Sequence, residues 1–197
     1  MIVIVDSREQ QPFTFSARPD VEVTRATLIT GDYSLAGFES VIACERKELN
    51  DLIACLQNGN RERFEKELAR ASALHRFCVL VEGTLEDIRN GRYRSQMKPT
   101  AALQSLFAFQ IRYGTAFLFC GNRAGAEYAC HSLLSKYLYE LRRGLTLATR
   151  AGQLGGKGDS GEEMISFSMA GGPGGGFDPQ VGVNTPCEQT CSRILIF

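Results

Sequence analysis

The order of apolar segments in this chain predicts an α/β fold, a central mixed β-sheet flanked by helices. Three observations carry that expectation. The short apolar runs Ile2-Val3-Ile4-Val5, Val41-Ile42-Ala43-Cys44 and Phe77 to Val81 have the length and composition of buried strands. Between and after them apolar residues recur at helical spacing, as in Leu49, Leu52, Ile53 and Leu56. A chain of 197 residues with 44% hydrophobic content can bury one good core and carry an extension.

Taken in order, the first strand ends at Asp6-Ser7-Arg8-Glu9, and Ala36-Gly37 marks the turn of a hairpin that leads into residues 41–44. The helix begun at Leu49 is broken by Asn58-Gly59. A second helix is expected over 61–75, burying Phe64, Leu68 and Ala71. The strand at 77–81 stops at Glu82-Gly83, and Glu82 is one more carboxylate at a strand end. Pro99 opens a helix with Leu103, Leu106 and Phe107 on its inner side. Thr115 to Phe119 reads as a strand. Ala126, Ala129, Cys130, Leu133, Leu134, Tyr137, Leu138 and Leu141 then form a long apolar stripe, wide enough to pack a core or to meet a second copy.

Beyond Arg150 the composition changes. Half of the 20 glycines fall between Gly152 and Gly176, too glycine-rich for a packed core. The expected organisation is therefore a folded domain over 1–150, then a Gly-rich flexible linker and apolar C-terminal tail over 151–197. No strand precedes these glycines and no Gly-Lys-Ser/Thr follows them, so a nucleotide cofactor is not expected. Cys44, Cys55, Cys78, Cys120 and Cys130 lie in apolar surroundings, and Cys187 and Cys191 form no C-x-x-C pair. His75 and His131 lie in expected helices without a triad around them. A reducing cytoplasm, with the chain near the nucleoid and no membrane, fits this usage.

The residues that carry chemistry are Gly31-Asp32-Tyr33, Glu45-Arg46-Lys47 and Asp51. Side chains alternate along a strand, so Glu45 and Lys47 project to one side as their strand emerges and Arg46 to the other. The hairpin folds Asp32 back beside Glu45. Two carboxylates so placed suit Mg²⁺ or Mn²⁺, which polarises a phosphate and acidifies an attacking water. The lysine offsets transition-state charge or positions that water. A lone Glu-x-Lys is also common at the end of a surface strand. The Arg46 carbonyl, between the two catalytic side chains, is a further oxygen donor, while its guanidinium is expected to pair with Asp51 or Glu48. Asp51 near a helix start is favoured by the helix dipole whether or not it is catalytic, and Arg8 and Glu9 are also placed to pair with each other.

With those residues in view, the D-S-R-E after the first strand, the G-D-Y and above all E-R-K-x-x-x-D resemble the nuclease domain of the XPF/Hef family of structure-specific DNA endonucleases. Asn58-Gly59-Asn60-Arg61-Glu62-Arg63-Phe64 is similar to the turn and helix that follow in that family. The resemblance covers residues 1 to about 145. It implies a restriction-endonuclease-like core, Asp32 and Glu45 as metal ligands with the Arg46 carbonyl, and Lys47 as the basic catalytic group. Asp6, Glu9, Arg46 and Asp51 fall on the remaining motif positions of the catalytic site. It also implies cleavage of flaps, forks or other branched DNA in repair or recombination, and a homodimer. Nothing in 151–197 resembles the tandem helix-hairpin-helix module that many members carry. A restriction-type duplex nuclease and a non-catalytic DNA-binding scaffold remain as alternatives.

The formal net charge is zero, 22 basic residues against 22 acidic, so a DNA footprint must come from distribution. Arg89, Arg92, Arg94 and Lys98 lie in a loop-like stretch without acids, where Tyr93 is placed to stack on a base; a solvated linker has the same composition. Arg8 lies beside the site. Glu62, Arg63, Lys66 and Glu67 read mainly as a solvated helix face, with Arg61 and Arg63 at its start able to reach a phosphate.

Overall fold

The apolar runs become the middle of a six-stranded mixed sheet. The computed structural model describes residues 1–155, with side chains as far as 149. Its strands are β1 (Ile2–Asp6), β2 (Glu22–Ala26), β3 (Tyr33–Leu35), β4 (Ile42–Glu48), β5 (Arg76–Glu82) and β6 (Ala116–Phe119). They lie in the order β2-β1-β3-β4-β5-β6, with β3 antiparallel to both β1 and β4 and the other pairs parallel. The helices are α1 (Leu49–Cys55), α2 (Asn58–Ala71), α3 (Leu85–Arg89), α4 (Pro99–Tyr113) and α5 (Arg123–Gly155). This is the expected mixed sheet flanked by helices.

Alternation along each strand divides the core in two. One face buries Val3, Val5, Cys44 and Leu80 against Ala126, Cys130 and Leu134 of α5 and against Phe13 and Phe15. The other buries Val79 and Val81 against Leu52 and Ile53 of α1, Phe64 and Leu68 of α2, and Leu106 and Phe109 of α4. The long stripe of α5 is thus used for core packing. Cys44 and Cys78 are partners in the β4–β5 register, their Sγ atoms 3.5 Å apart and buried.

Several boundaries differ from expectation, each for a local reason. Every residue of β2 is exposed, so this edge strand carries no apolar signal. Its place is held by pairing to β1 and by Arg25, whose Nη2 donates to the Glu9 carbonyl at 2.6 Å. Asn58 has φ 49° and turns the chain, and α2 starts there rather than at 61. That helix ends at Ala71, which leaves His75 in a bend beside Tyr137, its Nδ1 2.8 Å from the hydroxyl. On α4 the buried face is Ala102, Leu106 and Phe109, so Phe107 is half exposed. The helix α5 runs through residues 151–155; the expectations for the glycine-rich tail, Cys187 and Cys191 lie outside the described residues. Among the described residues no helix is long and apolar enough to cross a membrane.

The Gly-Asp-Tyr segment has one structural task per residue. Gly31 has φ +84°, and a Cβ there would stand 2.8 Å from the Ala43 Cβ. Tyr33 is fully buried, stacked on Phe13 at 4.7 Å, and its hydroxyl accepts from the Phe13 amide. Between them, Asp32 is delivered to the start of β3, between β1 and β4. Gly31→Ala is therefore expected to lower the unfolding free energy by about 1–3 kcal/mol, from left-handed backbone strain and the close approach to β4. Urea denaturation reads this, and a variant as stable as wild type would show that the turn tolerates a side chain.

Candidate active site

Where β3 begins, the backbone pairing of β4 gives way to a side chain. The Asp32 amide donates to the Cys44 carbonyl at 2.8 Å, and one residue pair further on the Arg46 amide donates to Asp32 Oδ2, also at 2.8 Å. The Asp32 carbonyl accepts from the Asp6 amide at 2.8 Å. Asp32 is thus fixed between β1 and β4 by three bonds.

Glu45 and Lys47 stand in register with Val79 and Val81, on the face covered by α1 and α2. They are hydrogen-bonded to each other through Oε1 and Nζ, and Lys47 Nζ also lies 5.5 Å from the centre of the Phe64 ring. Arg46 faces the other way. It pairs with Glu82 at 3.0 Å and Glu9 at 3.5 Å, not with Asp51 or Glu48 as the sequence suggested. The reason is alternation: Glu82 ends the neighbouring parallel strand on the same face. Arg123 closes the group, donating to Glu82 and to the carbonyls of Gln11 and Pro12.

Arg8 and Glu9 do not pair with each other. Arg8 forms a two-pronged clasp on Asp6, through Nε to Oδ1 and Nη2 to Oδ2, both at 2.8 Å. Asp6 also accepts from the amides of Arg8 and Leu28. The Arg8 bond, with these amides, holds the Asp6 carboxyl down at about 2. Asp6 therefore serves as a clasp for the loop that follows β1, and its oxygens are already occupied.

Two adjoining hollows meet over the acidic pair, both lined by Asp32, Glu45, Lys47, Arg63 and Glu67. The first continues to Glu9, Arg46 and Asp51, the second to Arg8, Ile29 and Arg70. Of the expected DNA contacts, Arg8 and Arg63 are here. Arg61 turns away, bound to Glu65 and Ser105 and stacked 4.6 Å over Phe109. Arg92 pairs with Asp87, and Tyr93 packs on the α4 core with its hydroxyl on the Met97 carbonyl. Tyr93 is thus partly buried, with its hydroxyl committed within the chain. Arg94 and Lys98 are exposed and outside both hollows.

Glu67 is the residue that sequence reasoning missed. It read as one of a set of compensating charges on a solvated helix. The signal was present: Arg63, Glu67 and Arg70 share one face of α2, directly beside the buried stripe of Phe64, Leu68 and Ala71.

Burial raises the Asp32 carboxyl to about 6, and the nearby Glu9 and Glu67 charges add to the effect against the Arg46 hydrogen bond. Burial likewise pushes Glu45 well up despite Lys47. For Lys47 burial works against the charge, but Glu45 and Glu67 outweigh it and raise the ammonium. Among the described residues Asp32 Oδ1 and Glu45 Oε2 accept no hydrogen bond. Two desolvated carboxylates with free oxygens form a donor set for a hard cation, which takes one or two carboxylates with water and phosphate oxygens. Among the described residues no group of three His, Cys, Asp or Glu side chains forms a closed cage.

The model of one family, the ERCC4 domain, matches residues 5–131. The chain belongs to the ERCC4 domain family. Its fold is similar to that of XPF from Aeropyrum pernix, with TM-score 0.56 and 24% identity over 77% of this chain and 73% of that one. A second structure of the Aeropyrum pernix XPF, in complex with DNA, matches with TM-score 0.52 and 23% identity, over 71% and 66% of the two chains. No curated protein matches significantly. These likenesses establish the restriction-endonuclease-like fold of the ERCC4 domain described above.

The raised acid at Asp32 has a consequence for stability. A carboxyl whose folded pKa exceeds its unfolded value favours folding fully below the unfolded value of 3.8, and that contribution is lost as pH rises through about 6. In cation-free buffer Asp32→Asn is expected to stabilise the protein by on the order of 1–2 kcal/mol at pH 8 and by less at pH 5. Urea denaturation with chelator at both pH values measures this. A variant less stable than wild type at both would mean that the bond to Arg46 outweighs the buried charge.

Proposed function

We propose that this chain is a metal-dependent DNA endonuclease that hydrolyses phosphodiester bonds at flaps, forks or other branched DNA, in repair or recombination. The observation that carries the reading is the pair of buried carboxylates, Asp32 and Glu45, with Lys47 beside them at the end of β4. Membership of the ERCC4 domain family supports it, as does the DNA bound by the similar Aeropyrum pernix protein.

In this reading Asp32 and Glu45 would hold Mg²⁺ or Mn²⁺, with the Arg46 carbonyl as a third oxygen. By strand alternation that carbonyl faces the same side as the Arg46 amide, toward Asp32. When bound, the cation polarises the phosphate and acidifies the attacking water. Lys47 presents its ammonium to the charge that develops on the phosphate. Asp51, at the first turn of α1 and on the wall of the first hollow, is a further acid able to orient water there. Glu9 and Glu82 hold Arg46 in place by ion pairs, and the Arg8–Asp6 clasp fixes the loop that supports Asp32. The complete set of acids and lysine favours catalysis over a scaffold role.

Purified protein with Mg²⁺ or Mn²⁺ is expected to cleave flap and fork substrates, and to prefer them to linear duplex. Asp32→Ala, Glu45→Ala and Lys47→Ala should each lose at least about 100-fold in rate, the scale of removing one charge-stabilising or metal-binding group. Equal cleavage by wild type and the acid variants would defeat the assignment, and a preference for plain duplex would favour a restriction-type enzyme.

A homodimer belongs to the same reading. A second copy would meet the exposed side of α4, where Phe107 and Ile111 are 50% and 87% exposed. Equilibrium sedimentation is expected to show dimer at micromolar concentration, lost on Ile111→Glu; monomer alone in wild type would remove this part of the proposal.

A further inference from the structure

The two hollows above the acidic pair are not electrically alike. Apart from the five residues they share, the first adds Glu9, Asp51 and an Arg46 already held by Glu9 and Glu82. The second adds Arg8, Arg70 and the Asp6 that Arg8 neutralises. One outlet is acidic and the other basic, so a polyanion leaving the site has a direction.

We propose that the scissile strand runs out through the second hollow, its phosphates on Arg63 and Arg70 and a base or sugar against Ile29. This rests on the nuclease reading and adds to it a strand path and two residues, Arg70 and Ile29, with a binding role.

Arg63 and Arg70 are seven residues apart on α2, about 10.5 Å along its axis, far enough apart to meet different phosphates of one strand. Both are exposed, and among the described residues neither forms an ion pair, unlike Arg61 on the far side of the same helix. Arg8 faces them from the loop after β1. Its Nε and Nη2 are held by Asp6 and the Leu28 carbonyl, which leaves Nη1 without a partner among the described residues, on a side chain that is largely exposed. Arginines from two segments, the loop after β1 and α2, thus line one hollow.

Ile29 supplies the apolar contact. It is 84% exposed, between the buried Leu28 and Thr30, on the segment that Arg8 anchors. A large aliphatic side chain held in water on a fixed loop, beside cations and at the edge of an acid site, matches the wedges by which proteins press on an unstacked base step. A protruding apolar residue gains little from a continuous duplex, whose bases are stacked and covered. It gains from a strand that has left its partner.

The test measures binding of labelled flap and linear duplex oligonucleotides over a salt series, together with cleavage kinetics. Arg70→Ala and Arg70→Gln are each expected to weaken flap binding three- to tenfold and to reduce the salt slope by about one. Arg63→Ala should do the same for binding. Ile29→Ala is expected to weaken flap binding while linear duplex binding stays the same. Arg76→Ala, at the opposite end of β5, is the control and should change neither. If the Arg70 variants keep wild-type affinity and slope while cleavage still depends on Asp32, the strand path is wrong and the nuclease reading survives. A wild-type protein that neither binds nor cleaves these substrates removes both.

Discussion

Everything at this site depends on the three hydrogen bonds that hold Asp32. Its carbonyl and amide tie β1 to β4, and its carboxylate takes the Arg46 amide where β3 no longer supplies a carbonyl. A buried backbone donor must find an acceptor. Here the acceptor is the side chain on which the proposed chemistry depends, so sheet geometry and site geometry are the same geometry. Gly31 and Tyr33 are the conditions for it: one lets the chain turn close against Ala43, and the other pins the strand to Phe13.

The rest of the site is built around charges that resist burial. Asp32 and Glu45 are desolvated near Glu9 and Glu67, and Lys47 offsets only part of this. Such an arrangement costs stability and makes a ready place for a positive ion, the usual exchange between a rigid fold and a reactive pocket. On the opposite face, the same strand carries Arg46 into a compensated network of Glu9, Glu82 and Arg123, and Arg123 also stands 5.2 Å over the Phe13 ring. One strand therefore separates the Glu45–Lys47 pair from the ion-paired Arg46 by the alternation of its side chains.

The parts visible in the sequence were those written as continuous apolar runs or as close spacing. β1, β4 and β5 were legible because strands buried on both faces leave little choice of residue, and Asp32, Glu45 and Lys47 because a hairpin and a single strand bring them together. β2 was not legible, since an exposed edge strand held by backbone bonds and Arg25 needs no apolar residues. The partners of Arg46 were hidden because Glu9 and Glu82 come from distant segments that only the sheet order unites. Glu67 and Arg70 looked like ordinary helix-surface charges until the placement of α2 decided which side of that helix meets the site.

The pairing of Cys44 with Cys78 has a practical consequence. These thiols lie on β4 and β5, on the sheet face opposite Glu45, buried and 3.5 Å apart. A buried neutral thiol is inert to alkylating reagents and becomes reactive only when its surroundings open. The rate at which a small maleimide modifies Cys44 would thus act as a clock for the loosening of β4, recorded without DNA, cation or turnover. Comparing that clock with and without Mn²⁺ would show whether filling the acidic pair tightens the strand that presents it.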